Sequence, residues 1–172
     1  LPRESFLYLG DTARLPYGTK SAATVERYAK QAAQVLVDRG VKLLVIACNT
    51  VSAVAVEPLR ERFRPLPVVG VVEPGAEAAC EATRTGHVLI TGTEGTIRGR
   101  AYERAIRQRR ADAVVVGQPC PLFVALAEEA WTQGEVPELA ARHYLEPKLR
   151  DDPQLDTVVL GCTHFPVFAD VV

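Results

Sequence analysis

The sequence is poor in several residue types and lacks long apolar runs. It contains no methionine, even at position 1, and only 6% of its residues are aromatic. No run of about 18 consecutive apolar residues occurs, so the sequence predicts no transmembrane helix. The N-terminus shows no signal-peptide pattern. We therefore expect a cytoplasmic protein without a membrane partner. The missing methionine, together with the end at Val172, predicts a piece of a longer chain.

The charge balance and the missing motifs exclude several further classes of protein. The 20 basic and 21 acidic residues give a net charge of −1, so nothing predicts a nucleic-acid partner. No G-x-G-x-x-G element follows a strand and no G-x-x-x-x-G-K-[ST] element is present, which leaves nucleotide binding without support. The four cysteines form no C-x-x-C pair, and no zinc-binding spacing of Cys and His occurs, so we expect no metal site.

The apolar pattern predicts the fold class. Apolar residues make up 48% of the 172 residues, enough for one domain or two small ones. Apolar runs alternate with amphipathic helical patterns, which predicts an α/β architecture with mainly parallel sheets. The expected strands are 6–9, 43–47, 68–72, 88–90, 113–116 and 157–160. The expected helices include 21–39, 51–63, 138–149, and segments that start near Pro74, carry Tyr102 and run through Trp131.

One sequence pattern occurs twice. Leu43–Thr50 and Thr157–His164 are each an apolar run that ends in a small residue, a cysteine and polar groups. The repeat predicts two pseudo-symmetric α/β halves that face each other across a cleft. We expect residues 1–65 in the first half, with 166–172 returning to it, and residues 66–165 in the second. Because ligands of parallel sheets bind at the carboxyl ends of strands, both cysteines should face one ligand.

Cys48 and Cys162 are the first candidates for chemistry. Cys48 precedes a predicted helix, whose first N–H groups favour a thiolate. His164 lies two residues after Cys162 and could assist proton transfer. A free cysteine taken singly is commonly a small core residue, so the argument depends on the pair. Two thiols on opposite sides of a ligand could move protons on both faces of one carbon.

Three further features have competing interpretations. Cys80 lies within a helical pattern among alanines, so we expect it in the core. Cys120 lies between two prolines, where packing is favoured over a place in the site. The loop Thr93–Thr96 precedes a helix, and its hydroxyl and N–H groups would either bind a carboxylate or cap the helix.

Several motifs in the same order resemble those of glutamate racemases. They are D-T-A-R-L-P-Y-G at 11–18, A-C-N-T at 47–50 and G-C-T-H-F-P at 161–166, with V-E-P-G-A at 72–76 and G-T-I-R at 95–98. The A-C-N-T element alone would indicate only the wider aspartate/glutamate racemase superfamily. The resemblance implies interconversion of L- and D-glutamate without a cofactor, with D-glutamate used in bacterial peptidoglycan. We also expect a homodimer.

The resemblance assigns roles to individual residues. It implies that Cys48 and Cys162 are the acid/base thiols and that His164 assists Cys162. Asp11 and Glu128 match acidic positions that support the site. The substrate would be held by Tyr17, Gly18, Asn49, Thr50 and Thr163, and Thr93 and Thr96 would contact its carboxylates.

The chain departs from the family pattern at both ends. The family begins with a strand that ends in Gly-x-Phe-Asp-Ser-Gly, and nothing here matches it. The usual C-terminal segment also has no counterpart. For a polypeptide that is really this short, we expect weak or no activity and exposed sheet edges that favour association.

Three alternatives remain open at this stage. The first is a racemase for aspartate or a hydantoin, which a substrate panel would separate. The second is an inactive protein of racemase fold that binds glutamate without exchanging its α-proton. The third is a thiol redox protein, which predicts a Cys48–Cys162 disulfide under mild oxidation. A ligand-sized gap between the two thiols would forbid that bond.

Overall fold

The computed structural model describes residues 3–172, and parallel strands form two sheets within them. The strands are β1 (Leu44–Ile46), β2 (Val68–Gly70), β3 (His87–Gly92), β4 (Val114–Pro119) and β5 (Thr157–Gly161). β1 pairs with β2 in a two-stranded sheet, and the second sheet has the order β4-β3-β5. This confirms the predicted α/β class with parallel sheets.

Helices connect the strands, as parallel pairing requires. They are α1 (Ala22–Val37), α2 (Asn49–Arg62), α3 (Val72–Ala82), α4 (Glu94–Gly99), α5 (Ala101–Arg109), α6 (Pro121–Glu128) and α7 (Glu135–Asp151). Short 3₁₀ turns cover Thr12–Arg14 and Phe165–Phe168. The Ser21 hydroxyl caps α1 by accepting the Thr24 N–H at 3.3 Å.

The buried apolar residues form three clusters that follow the two sheets. One cluster packs α1 and α2 against β1 and β2 and includes Val25, Ala55 and Leu59. A second lies on one face of the larger sheet, beneath α3 and α5. The third covers the other face and is built from α6, α7 and the 3₁₀ turn, with Phe123, Phe165, Phe168, Cys120 and Cys162. The larger sheet is therefore covered on both sides, as expected for parallel strands.

Two details of the predicted secondary structure were wrong. Residues 6–9 do not form a strand: they pair with neither sheet, and Phe6 and Tyr8 are largely exposed. An apolar run is only a strand when a neighbour supplies hydrogen-bond partners. The helix expected to run through Trp131 ends at Glu128, followed by Ala130 in a left-handed conformation (φ 58°).

The position of β2 bears on the division into two halves. β2 pairs with β1 in register, with Val45 opposite Val69, so the change from one sheet to the other falls between Gly70 and His87. The boundary expected at residues 65 and 66 precedes β2, and as a domain boundary it stays a prediction.

Candidate functional site

Both repeated cysteines lie at the carboxyl ends of parallel strands. Cys48 follows β1 after one intervening residue, and Cys162 directly follows β5. Cys48 is half-buried, whereas Cys162 is only 7% exposed. All four cysteines are unbonded. The two thiols therefore occupy the sheet edge where ligands of α/β proteins bind.

Cys48 is the residue that begins α2. It has an extended backbone (φ −80°, ψ 124°), and its carbonyl accepts the Ser52 N–H at 2.8 Å as the first bond of the helix. Asn49 and Thr50 occupy the first turn and are both buried. The first N–H groups of a helix have no partner within it and carry partial positive charge. The thiol thus lies where a negative charge is stabilised.

Three threonine hydroxyls form a closed cluster beside this helix start. Thr50 Oγ1 lies 2.8 Å from Thr93 Oγ1 and 3.2 Å from Thr96 Oγ1, and the last two lie 3.1 Å apart. Thr93 also caps α4, because its hydroxyl accepts the Thr96 N–H at 3.2 Å. The capping interpretation of this loop is therefore observed. Contact with a carboxylate stays a prediction for Thr93 and Thr96.

The loop that carries Tyr17 and Gly18 is fixed against the same cluster. The Gly95 N–H donates to the Gly18 carbonyl at 2.8 Å. A Cβ atom on Gly18 would lie only 2.4 Å from the Thr93 Cβ, so the approach requires glycine at this position. The structure thereby brings Gly18, Thr50 and Thr93 together, and the substrate contact that the resemblance implies for them stays a prediction.

Asp11, Arg14 and Tyr17 brace this loop from the other side. The Tyr17 hydroxyl donates to Asp11, and Arg14 Nε donates to Asp11 Oδ1 at 2.8 Å. Burial raises the pKa of Asp11, but the bonds from Arg14 and Tyr17 outweigh it and hold the pKa below its usual value. Burial raises the pKa of Tyr17, and the hydrogen bond to the charged Asp11 raises it as well. A charge on Cys48 would raise it further. Tyr17 thus stays protonated and lies within electrostatic reach of Cys48.

Cys162 has a histidine and a glutamate beside it. Its Sγ lies 3.6 Å from His164 Nδ1, and His164 Nε2 lies 2.5 Å from Glu128 Oε1. A carboxylate accepts hydrogen bonds, so Nε2 carries the proton that donates to Glu128, and Nδ1 faces the thiol. In the neutral ring, Nδ1 can accept the thiol proton. The structure places Cys162, His164 and Glu128 in contact, and their catalytic roles stay a prediction.

The two thiols influence each other electrostatically. Burial raises the pKa of Cys162, and a charge on Cys48 raises it further, against the lowering effect of hydrogen bonds from His164 and Thr163. Ionisation of one thiol therefore disfavours ionisation of the other. The coupling therefore disfavours two thiolates at the same time. Thr163 itself is exposed beside Cys162.

The remaining cysteines lie outside this grouping. Cys120 is fully buried and donates to the Gln118 carbonyl at 3.5 Å, and burial raises its pKa to about 12. Such a thiol is an inert core residue, which agrees with the packing interpretation. Cys80 is half-buried and donates to the Ile106 carbonyl at 3.9 Å.

Sequence reasoning missed one residue of the site. The Tyr102 hydroxyl donates to Asn49 Oδ1 at 2.7 Å, and both side chains are buried. Tyr102 follows the apolar periodicity of α5, so its only signal was that of a core residue. A tyrosine on a buried helix face carries a hydroxyl that needs a partner, and this is the clue the sequence offered.

Two properties of residues 3–172 complete the description. None of the helices there is both long and apolar enough to span a membrane. Over the same range, no three His, Cys, Asp or Glu side chains are grouped as metal ligands.

Comparison with known proteins places the chain in a family. The model of the family described as Asp/Glu/Hydantoin racemase matches residues 2–172. The chain belongs to this family. It is 54% identical over 172 residues to a glutamate racemase of Geobacter metallireducens, and 46% identical over 166 residues to one of Aquifex aeolicus. These matches include 100% and 96% of this chain, respectively, but only 63% of each relative.

Solved structures of the family agree with the fold. The glutamate racemase of Francisella tularensis in complex with D-glutamate matches with a TM-score of 0.92 and 37% identity, covering 99% of this chain and 63% of that one. The glutamate racemase of Thermus thermophilus in complex with β-chloro-D-alanine matches with a TM-score of 0.85 and 45% identity. This match covers 99% of this chain and 62% of that one. The chain thus spans less than two thirds of the length of these racemases.

Proposed function

We propose that the chain carries the active site of a glutamate racemase, which interconverts L- and D-glutamate with Cys48 and Cys162 as the acid/base pair. The observation that carries the proposal is the placement of two free thiols at two strand ends, coupled in charge and flanked by polar side chains. The names of the relatives support the substrate, and one related enzyme is described in complex with D-glutamate.

The geometry supports a two-base mechanism. One thiolate takes the α-proton, so that the C–H bond breaks, its electron pair stays on the carbon, and an S–H bond forms. The opposite thiol then donates its proton to the other face of that carbon and becomes the thiolate. Starting from the other enantiomer, the roles reverse. His164, held by Glu128, would take up or return the Cys162 proton through Nδ1.

The energetic difficulty lies in the carbanion. The α-proton of an amino acid is far less acidic than a thiol, whose reference pKa is about 8.5. Fixed donors at the site must therefore stabilise the developing charge. The start of α2, the Asn49 amide and the Thr50 and Thr93 hydroxyls supply such donors beside Cys48. Because they are held in place by mutual hydrogen bonds, little reorganisation is needed when the charge develops.

The proposal extends to the biological role. A glutamate racemase without a cofactor would supply D-glutamate for peptidoglycan synthesis, and so for cell-wall formation and cell shape, in the cytoplasm. We also propose that the protein works as a homodimer. These statements derive from the resemblance to the family.

A racemase for aspartate or a hydantoin is the second candidate, because the description of the matching family includes both substrates. The named relatives at 43% to 54% identity are glutamate racemases, which favours glutamate. A panel of D- and L-glutamate, D- and L-aspartate and a substituted hydantoin separates the candidates. Turnover of aspartate or the hydantoin, with glutamate left unchanged, would replace the proposed substrate.

The test is α-proton exchange in D₂O, followed by NMR for each enantiomer of glutamate separately. Exchange of the α-proton of both enantiomers, even at the weak rate expected above, supports the proposal. Cys48→Ala and Cys162→Ala should each abolish racemisation, with exchange lost or left for one enantiomer only. The expected loss is at least about 10³-fold, at the middle of the range for a positioned acid or base.

Cys80→Ala is the matched control, because this half-buried thiol lies outside the site. It should exchange both enantiomers at the parent rate. A folded chain that binds glutamate but exchanges neither α-proton would be a binding protein of racemase fold. Exchange that survives both single changes would show that the thiols are not the acid/base pair.

A further inference from the structure

Tyr102 is the buried group that the two-thiol mechanism leaves without a role. It is 5% exposed, lies on α5, and donates to the amide oxygen of Asn49 at 2.7 Å. Asn49 directly follows Cys48 and is itself 8% exposed. The bond therefore joins the half that carries Cys162 to the residue beside Cys48.

The surroundings hold the Tyr102 ring in this position. A Cβ atom on Gly75 would lie 2.9 Å from the Tyr102 hydroxyl oxygen, and one on Gly161 would lie 3.4 Å from its Cε2 atom. Two glycines thus allow α3 and the end of β5 to approach the ring closely. Gly161 immediately precedes Cys162, so the ring contacts the segments beside both catalytic thiols.

We propose that Tyr102 is a positioning residue: it fixes the orientation of the Asn49 amide so that the NH₂ group faces a substrate carboxylate. An asparagine amide has one acceptor oxygen and two N–H donors. When Tyr102 donates to the oxygen, the NH₂ group is left to bind a ligand. A carboxylate is an acceptor only, so it is bound by the NH₂ group and repelled by the oxygen.

The protonation state of the tyrosine agrees with this role. Burial raises the pKa of Tyr102 to about 12, so the hydroxyl keeps its proton at neutral pH and remains a donor. Without that donor, a rotation of the amide by half a turn would exchange its oxygen and nitrogen. Asn49 would then present the wrong atom to the carboxylate in part of the molecules.

This inference rests on the proposed function, and the test separates the two. Cys48 is alkylated with iodoacetamide at increasing concentrations of D-glutamate, and modification is followed by mass spectrometry. D-glutamate should protect Cys48 in the parent chain. In Tyr102→Phe the half-protecting concentration should rise about tenfold, the loss expected for one hydrogen bond to a charged group. Gly75→Ala, which crowds the hydroxyl, should shift protection in the same direction.

Tyr144→Phe is the matched control. The Tyr144 hydroxyl accepts the Leu122 N–H at 3.2 Å, and its ring packs on the opposite face of the larger sheet from Tyr102. This variant should leave the protection curve unchanged, and the thermal midpoint of every variant is measured beside it. Where exchange is measured, Tyr102→Phe should raise KM about tenfold and change kcat by less than about threefold.

Two results would overturn the inference alone. One is a protection curve for Tyr102→Phe that coincides with that of the parent chain. The other is an equal shift in Tyr102→Phe and Tyr144→Phe together with equal losses of thermal midpoint, which would mean a purely structural role. Absence of protection in the parent chain would overturn the proposed function and, with it, the inference.

Discussion

The two cysteine sites begin with similar sequences and end in different surroundings. Cys48 is half-buried and begins a helix of 14 residues, with hydroxyl and amide groups beside it. Cys162 is buried against the aromatic cluster of Phe123, Phe165 and Phe168, and a 3₁₀ turn of four residues follows. One thiol is supported by a helix start, the other by a histidine and a glutamate.

The difference shows that the apolar run places the thiol, whereas the residues after it decide the chemistry of the thiol. After Cys48, Asn49 and Thr50 enter a helix, whose N–H groups favour negative charge. After Cys162, His164 and Pro166 lead into a short turn, and the ring nitrogen of His164 faces the sulfur. The two thiols therefore have different supports, and each support can be removed separately.

The largest loss of α-proton exchange that separates the two thiols should come from His164→Asn. In the proposed mechanism the His164 ring nitrogen accepts the Cys162 proton, so its removal should slow exchange by about 100-fold, at the low end of the effect of a positioned acid or base. The loss should fall mainly on the enantiomer whose α-proton faces Cys162, because Cys48 keeps its own support. Exchange of each enantiomer in D₂O measures this directly.

His143→Asn is the control for that change, since His143 is exposed on α7. It should leave both rates unchanged. Equal losses for the two enantiomers in His164→Asn would contradict separate supports for the two thiols. Such a result would mean that His164 shapes the site as a whole.

The repeat and the period of the apolar runs were sufficient to predict the fold. β1, β3, β4 and β5 all occur where uninterrupted apolar runs end in polar loops. Residues 6–9 have an equally apolar pattern, yet they form no strand, because pairing depends on a neighbour that the local pattern does not describe. The strand expected at 68–72 likewise ends at Gly70 as β2, because α3 begins at Val72.

The repeat predicted the positions of the two thiols at strand ends, but side-chain contacts in the candidate site were predictable only between near neighbours in the chain. His164 could be assigned to Cys162 from the sequence because two positions separate them. The approach of Gly18 to Thr93 and the bond from Tyr102 to Asn49 join residues 75 and 53 positions apart, respectively, and no spacing reveals them. The resemblance indicated Glu128 only as an acidic position that supports the site, and its contact with His164 was not predicted.

A smaller effect should appear in the reactivity of the two thiols. Burial raises the pKa of Cys162, so at pH 8 most of it is thiol, while Cys48 is more accessible. Iodoacetamide should therefore modify Cys48 faster than Cys162, because the thiolate is the nucleophile and the raised pKa of Cys162 lowers its thiolate fraction. The modification rate of Cys162 should rise with pH, because Cys162 then gains thiolate.

Cys120 provides the internal reference for this experiment. It is fully buried with a pKa of about 12, so it should stay unmodified throughout. Faster modification of Cys162 than of Cys48 at pH 8 would contradict the comparison. Modification of Cys120 would show that the chain opens during the reaction, and the rates would then report unfolding.

The smallest effect should come from Glu128→Gln. The glutamate lies 2.5 Å from His164 Nε2, but about half of its side chain is exposed (54%), so solvent screens the interaction. Glutamine still accepts the ring N–H through its amide oxygen, while the charge is lost. We expect about a threefold loss of exchange for the enantiomer that depends on Cys162, within the range of a surface ion pair.

The control for this change is Glu129→Gln, one residue further along the chain and exposed. It should leave the exchange rates of both enantiomers unchanged. A loss as large as that of His164→Asn would mean that Glu128 orients the ring, and that the second thiol depends on a coupled pair rather than on the histidine alone.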